Sequence, residues 1–290
     1  MSYLDHIKQC NSYPAEDFLP FFIGKTCYGL THKTHIQHLI EWPEVFSADS
    51  QGLYLNPELN TPELRTNAAN EVMWALHKKG IIDSWVGEQY NISESFDSPS
   101  AMLIERAAVA FLGTRGYGVH LNGLVRKADG IYIWIAERSL SKPFWPGMLD
   151  QIVAGGQPFG LSPQENIIKE SQEEADITPE VAATATFEGE IHYCNAGERG
   201  LHNDGLFNYD LWLPEDFVPH NTDGEVESFK LMPIEEMAKI TDETSEFKSN
   251  CNLVNIDLLI RLGLIDSSHP DYQEICSLLY AKPSPIQIHT

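Results

Sequence analysis

The chain has 290 residues, 42% of them hydrophobic and 21% charged, which suits a globular protein of about two domains and excludes a wholly disordered chain. Its 19 Lys and Arg stand against 42 Asp and Glu, a formal net charge of -23. A surface that acidic repels nucleic-acid backbones and anionic membranes, so neither is an expected partner.

The opening stretch MSYLDHIKQCNSYPAEDF lacks a basic segment followed by an apolar one, so no secretory signal is expected. No run reaches the ~18 apolar residues that cross a bilayer. Cys10, Cys27, Cys194, Cys251 and Cys276 are scattered, with no C-x-x-C pair. That argues against a disulfide framework or structural zinc and makes a reducing cytoplasm the expected setting. Up to about residue 110 the chain is punctuated by Pro and Asn, with a helix expected over Thr61–Lys79, where Leu64, Ala68, Val72 and Leu76 fall at helical spacing. The apolar segment Ala101–Leu112 ends at Gly113.

Beyond Gly113 the texture changes. Tyr117–Val125 and Ile131–Ala136 read as strands joined through Asp129-Gly130, a hairpin signal. Further strands are expected at Met148–Val153, Ala183–Tyr193, Leu206–Leu213 and Glu225–Met232, with helices at Pro163–Ala175, Pro233–Ile240 and Cys251–Leu262. Strands and helices mixed in this order predict an α/β or α+β domain over 114–265. Residues 1–113 form a preceding domain, and 266–290, with Lys282-Pro-Ser-Pro, a loosely held tail.

Chemistry concentrates between Ala154 and Ile177. A β-rich run enters a loop containing Gly155, Gly156 and Gly160, and the loop feeds a helix. Ser162 suits its N-cap, Pro163 its first position, and Glu165 completes a capping box. Asp176 falls where the helix ends, and Asp tolerates the left-handed conformation. At 100° per residue Ile168, Ser171 and Ala175 share an arc that can face a core. Glu170, Glu173 and Glu174 fall on the adjacent arc at i, i+3, i+4. Three carboxylates this close repel one another, and the last helical turn disfavours anions. Divalent cations held by oxygen ligands relieve both, and Mg2+ bridges carboxylates to phosphates, which suggests pyrophosphate chemistry. A merely solvated acidic face is the simpler reading of Lys-Glu-Ser-Gln-Glu-Glu; the glycine loop at a fixed distance weighs against it.

The segment resembles the Nudix box, G-x5-E-x7-REUxEExGU with U aliphatic. Gly155 takes the first Gly, Lys169-Glu170 the Arg-Glu, Glu173-Glu174 the Glu-Glu and Ile177 the last aliphatic position. Leu161 replaces the first Glu, Lys169 the Arg, Ser171 an aliphatic residue and Asp176 the Gly. Pro146–Gly156, Gly118–Gly123, Arg138–Lys142 and Asp223–Glu227 are similar to the Nudix subfamily related to thiamine pyrophosphokinase. The resemblance implies a Nudix-type α/β/α sandwich with a mixed sheet, preceded by a smaller α/β N-terminal domain that contributes to substrate recognition. It implies a hydrolase that cleaves thiamine pyrophosphate or its oxidised analogues to the monophosphate and phosphate, with Mg2+ as cofactor and Mn2+ as substitute. The alternatives are a nucleoside diphosphate derivative such as ADP-ribose as substrate, or a non-catalytic module with the same fold.

Roles follow from residue type. Glu170, Glu173 and Glu174 are the expected metal ligands, with the Gly155 carbonyl as an addition. Glu225 and Glu227, expected on one face of a strand, are candidates for a further metal or for accepting a proton from water. Arg138 and Lys142 are the expected phosphate contacts. Trp134, Phe144, Trp145 and Trp212 are candidates for stacking on a flat heteroaromatic group, though aromatic residues on strands more often belong to a core. His192 and His202 read as structural. The partner is a small pyrophosphate, and the protein a monomer or homodimer.

Overall fold

The computed structural model describes residues 1–142 and 144–281. Tyr3–Cys10 forms helix α1, opened by a capping box between Ser2 and Asp5. Strands Phe18–Ile23 (β1) and Thr26–His32 (β2) form a hairpin, Lys33–Leu39 is α2, and the short strands Phe46–Ala48 (β3) and Leu53–Leu55 (β4) complete a sheet in the order β2-β1-β4-β3. Pro62–Lys78 (α3), capped by the Thr61 hydroxyl, buries Val72, Met73 and Leu76 in one core with Phe21 and Phe46. Gln89–Ile92 (β5) and Met102–Glu105 (β6) make a separate ribbon. After one tight turn, Val109–Leu112 (α4) stops at Gly113, whose φ of 66° suits a residue without a side chain.

From there the chain builds one sheet. Arg115–Lys127 (β7) and Gly130–Arg138 (β8) form the hairpin expected at Asp129-Gly130, followed by Leu149–Gln151 (β9), Val153–Gly156 (β10), Pro163–Ala175 (α5), Pro179–Ala182 (α6), Thr186–Gly197 (β11), Gly200–Leu213 (β12) and Val226–Pro233 (β13). Ile234–Glu243 (α7), Ser249–Arg261 (α8) and Tyr272–Leu279 (α9) close the described chain. The order is β11-β12-β7-β8-β13, with β10 on β7 and β9 on β8. The β12–β7 pairing is parallel and the others are antiparallel, so the sheet is mixed.

Strand side chains alternate between faces. Val119, Leu121, Phe207 and Leu211 share a core with Ile167 and Ala175 of α5. On the other face Leu124, Ile133 and Ile135 share a core with α1, α7, α8 and α9. This is the α/β/α sandwich expected. Helix α5 has the expected bounds, capping box and proline, and Asp176 ends it at φ 55°. Ile167, rather than the half-buried Ile168, leads its buried face.

Three expectations need revision. Met148–Val153 is not one strand: β9 pairs with β8 and β10 with β7, and the chain changes neighbour at Ile152, whose side chain fills the space left by Gly123. The C-terminal region is not simply loose, because α9 buries Ile275 and Leu279; residues 282–290 lie outside the described part. Helix α1, although within 1–113, packs Ile7 and Cys10 into the core of the large sheet. Backbone joins the two sheets directly. The Leu30 amide donates to the Gly113 carbonyl at 3.1 Å, the Thr31 hydroxyl donates to the Leu112 carbonyl at 2.7 Å, and Gly29 bridges Thr114.

Candidate active site

Two adjacent glycines leave β10 bare on both sides. A Cβ on Gly155 would fall 2.5 Å from Cδ of Glu170, so the glycine exists to admit that carboxylate. A Cβ on Gly156 would collide with the Tyr90 hydroxyl and approach Cζ of Arg106 to 3.1 Å. The Ala154 amide donates to Glu174 Oε2 at 2.8 Å. Glu174 is 6% exposed, and burial pushes its carboxyl well above the ordinary range; the Ala154 amide opposes this, while Glu170, Asp150 and Glu225 push further. Burial also raises Glu170, against the pull of Lys169 and Arg106.

Glu173 is the exposed member of the expected trio. Its side chain is 46% exposed and takes Lys169 Nζ at 2.6 Å, while the same ammonium lies 3.2 Å from Glu170. Standing one turn before Glu173, Lys169 bridges that carboxylate to Glu170 and leaves Glu173 as the exposed member of the three. The inward-facing pair is therefore Glu170 and Glu174. The Gly155 carbonyl is also displaced from its expected role. Gln157 donates to the Tyr117 carbonyl at 2.8 Å, and antiparallel alternation then puts Gly155 opposite Val119 in a hydrogen-bonded pair, its carbonyl turned into the sheet. Ala154, one residue earlier, turns its amide and carbonyl to the free edge beside Glu174.

Glu225 and Glu227 do not share a strand face. β13 begins at Val226 and bulges before Ser228, so alternation fails at Glu227. Glu225 precedes the strand and pairs with Lys142 at 2.5 Å; its charge, and not that of Glu227, is among the largest acting on Glu174. Arg138 is not free for phosphate. Its guanidinium donates to Asp150 at 3.0 Å and to the Phe144 and Trp145 carbonyls at 3.2 Å. Trp145, at φ 51°, is exposed, and Lys248 Nζ lies 5.7 Å from its ring. Trp134 is core, and Trp212 stacks outside under Arg126 at 4.7 Å. His192 sits 3.0 Å from Glu190, and His202 lies 3.7 Å from Asp204.

Beneath β9 lies a buried network. Cys251 donates to Asp150 Oδ1 at 2.8 Å, and Nδ1 of His120 meets Gln151 Oε1 at 2.8 Å. His120, Asp150 and Cys251 place potential ligand atoms within 4.8 Å of one another. Arg138 and Lys248 already flank Asp150, and the Cys251 thiol spends its proton there, so hydrogen bonds satisfy this cluster without an ion. Glu170, Glu174 and the Ala154 carbonyl are different: hard oxygens, like charges packed together, and a cradle that one methyl group would fill. That donor set fits a divalent cation of the magnesium kind.

Sequence reasoning missed Arg106 and Tyr90, which stand against the bare face of Gly156. Arg106 and Tyr90 come from far up the chain, and their only local signal was the second glycine, Gly156, which yields space to both.

A family model described as "Domain of unknown function (DUF4743)" matches residues 2–116. The chain is 41% identical over 284 residues to Nudix hydrolase 20, chloroplastic, of Arabidopsis thaliana, covering 94% of this chain and 76% of that one. It is 40% identical over 277 residues to Nudix hydrolase 24, chloroplastic, of the same plant, with the same coverage. Among solved structures, the NUDIX domain of Shewanella oneidensis NrtR complexed with ADP ribose aligns at TM-score 0.41 and 10% identity, covering 51% of this chain and 89% of that one. On this identity, which spans 76% of each relative, the chain belongs to the Nudix hydrolases, enzymes of diphosphate linkages.

Proposed function

We propose that the chain hydrolyses thiamine pyrophosphate or its oxidised analogues to the monophosphate and phosphate. The convergence of Glu170 and Glu174 on the bare edge of β10 carries the chemistry. Glu170, Glu174 and the Ala154 carbonyl would hold a divalent cation, Mg2+ or Mn2+, which when bound would neutralise charge on the diphosphate. Glu225, tethered by Lys142, accepts a proton as water attacks phosphorus and the P–O–P bond breaks.

The substrate assignment rests on the motif resemblance and on a pocket. A cavity of about 290 Å³ is lined by Tyr90, Phe96, Arg115, Tyr117, Phe159 and Leu161, among others. Leu161 stands where the family motif has Glu, and it lines this space along with the polar residues Asn91, Ser93, Gln157 and Ser162. Its aromatic members, Tyr90, Phe96, Tyr117 and Phe159, suit a flat heteroaromatic ring. Phosphate release from a panel of diphosphates with Mg2+ tests the reading. Preference for thiamine derivatives is the expected result; preference for ADP-ribose by orders of magnitude replaces it with the nucleoside diphosphate reading.

A further inference from the structure

The second glycine of β10 gathers two side chains that the reaction at the first does not use. Tyr90 stands on β5 and Arg106 directly follows β6, so one small ribbon supplies both. A Cβ on Gly156 would collide with the Tyr90 hydroxyl and lie 3.1 Å from Cζ and 3.2 Å from Nη2 of Arg106. The ribbon is tied to the loop that leads into α5. The Phe159 amide donates to the Gln89 carbonyl at 2.8 Å, and the Arg106 amide donates to the Glu88 carbonyl at 2.9 Å.

Both side chains keep unused donors, and neither donor is sealed from solvent. Glu88 takes Nη1 of Arg106 at 3.0 Å, the one side-chain hydrogen bond this residue makes among the described residues. Nη2, which faces Gly156, stays free on a side chain that is 44% exposed. The Tyr90 hydroxyl makes no hydrogen bond among the described residues, although its residue is buried and lines the cavity described above. Burial keeps the phenol protonated, so it can only gain by donating. Polar groups in such places are ordinarily paired, and an idle phenol at a cavity wall points to a ligand atom.

Gly155 and Gly156 are consecutive, their Cα atoms ~3.8 Å apart, and a Cβ on Gly155 would lie 2.5 Å from Cδ of Glu170. Successive residues of a strand face opposite ways, so Glu170 approaches β10 from one face and the Tyr90–Arg106 pair from the other. Among the described residues β10 pairs with β7 alone, and at its other edge the Ala154 amide meets Glu174. A ligand lying along that edge can be reached from both faces.

We propose that Tyr90 and Arg106 bind one phosphate of the substrate beside Gly156, while the Glu170–Glu174 edge serves the adjoining phosphate. This rests on reading that edge as a diphosphate-hydrolase site. Nη2 of Arg106 and the phenol donate to separate oxygens of the same group. The basic residues expected from the sequence to do this are engaged elsewhere: Asp150 holds Arg138, and Glu225 holds Lys142.

The test is calorimetric binding of methylenediphosphonate with Mg2+ to the full chain, to Tyr90→Phe and Arg106→Gln, and to Lys239→Gln as control. Tyr90→Phe removes a neutral hydrogen bond and should weaken binding about fivefold; Arg106→Gln removes a charge-assisted one and should cost about twentyfold. Only the arginine change should flatten the dependence of affinity on salt. Lys239→Gln should bind as the original. Mn2+ binding measured alone should not weaken, and the melting temperature should hold. A fall in either that matches the lost diphosphonate affinity gives the pair a merely structural role and overturns the proposal. If Arg106→Gln does not fold, Arg106→Lys replaces it and should still lose affinity, because lysine lacks the fork. A folded Tyr90→Phe or arginine variant that binds as tightly as the original also overturns the proposal, and Mg2+-dependent hydrolysis by the original chain would then still stand. An original chain that hydrolyses no diphosphate with Mg2+ or Mn2+ overturns the underlying reading instead.

Discussion

Three glutamates that look equivalent in the motif divide in the fold, and activity should divide with them. Glu170→Gln and Glu174→Gln remove inward carboxylates and should cost about 10²-fold or more in kcat, as loss of transition-state charge stabilisation does. Glu173→Gln removes only the partner of Lys169 and should cost less than about tenfold, since exposed pairs contribute little. Steady-state kinetics with Mg2+ separates the cases; equal losses in all three would mean that Glu173 turns inward when the enzyme works. The buried network makes a pH prediction. Burial, reinforced by Lys248, lowers His120 from 6.5 to about 4, so the folded state resists a proton that the unfolded chain accepts. Stability is then full above 6.5 and falls as pH drops towards 4, by up to about 3 kcal/mol. Burial would raise Asp150, but Lys248, His120 and Arg138 outweigh it and hold the group at about 2, adding a second loss between 3.8 and 2. Thermal melts should decline over both ranges, and His120→Asn should remove the upper loss and shrink the lower one, since His120 is among the charges acting on Asp150.

The helix that carries the site was legible because its determinants are local. Ser162, Pro163, Glu165 and Asp176 lie within fifteen residues, and each does what its chemistry favours. Ser162→Ala should therefore lower stability by about 1 kcal/mol in urea titrations, with little effect on kcat. Gly155→Ala is the converse. It should spare the helix yet weaken Mn2+ binding, because the methyl group displaces the Glu170 carboxyl; unchanged Mn2+ affinity would remove Glu170 from the ligand set. What stayed illegible depends on partners remote in sequence. Glu225 and Glu227 follow the alternation rule on paper, but a bulge against β8 breaks it. Arg138 has the residue type for phosphate, but Asp150 claims it. The three-residue strands β3 and β4 carry too few residues for a period to show.

At the scale of the molecule, the first helix and the last described one stand in the same core, so the two halves do not correspond to two segments of chain. Ile7→Ala should destabilise the large sheet by about 2–5 kcal/mol, the usual cost of emptying a buried aliphatic site. Denaturant titration followed at a tryptophan of that sheet checks this.

The seam at Gly29 and Gly113 limits what the molecule can do. A side chain on Gly29 would strike backbone at the end of α4, and one on Gly113 would strike the backbone of β2, so the join has no slack for a hinge to work across. Substrate preference is therefore better altered at the cavity lining than at this join. An engineer wishing to redirect the enzyme should recarve the rim and leave the seam alone.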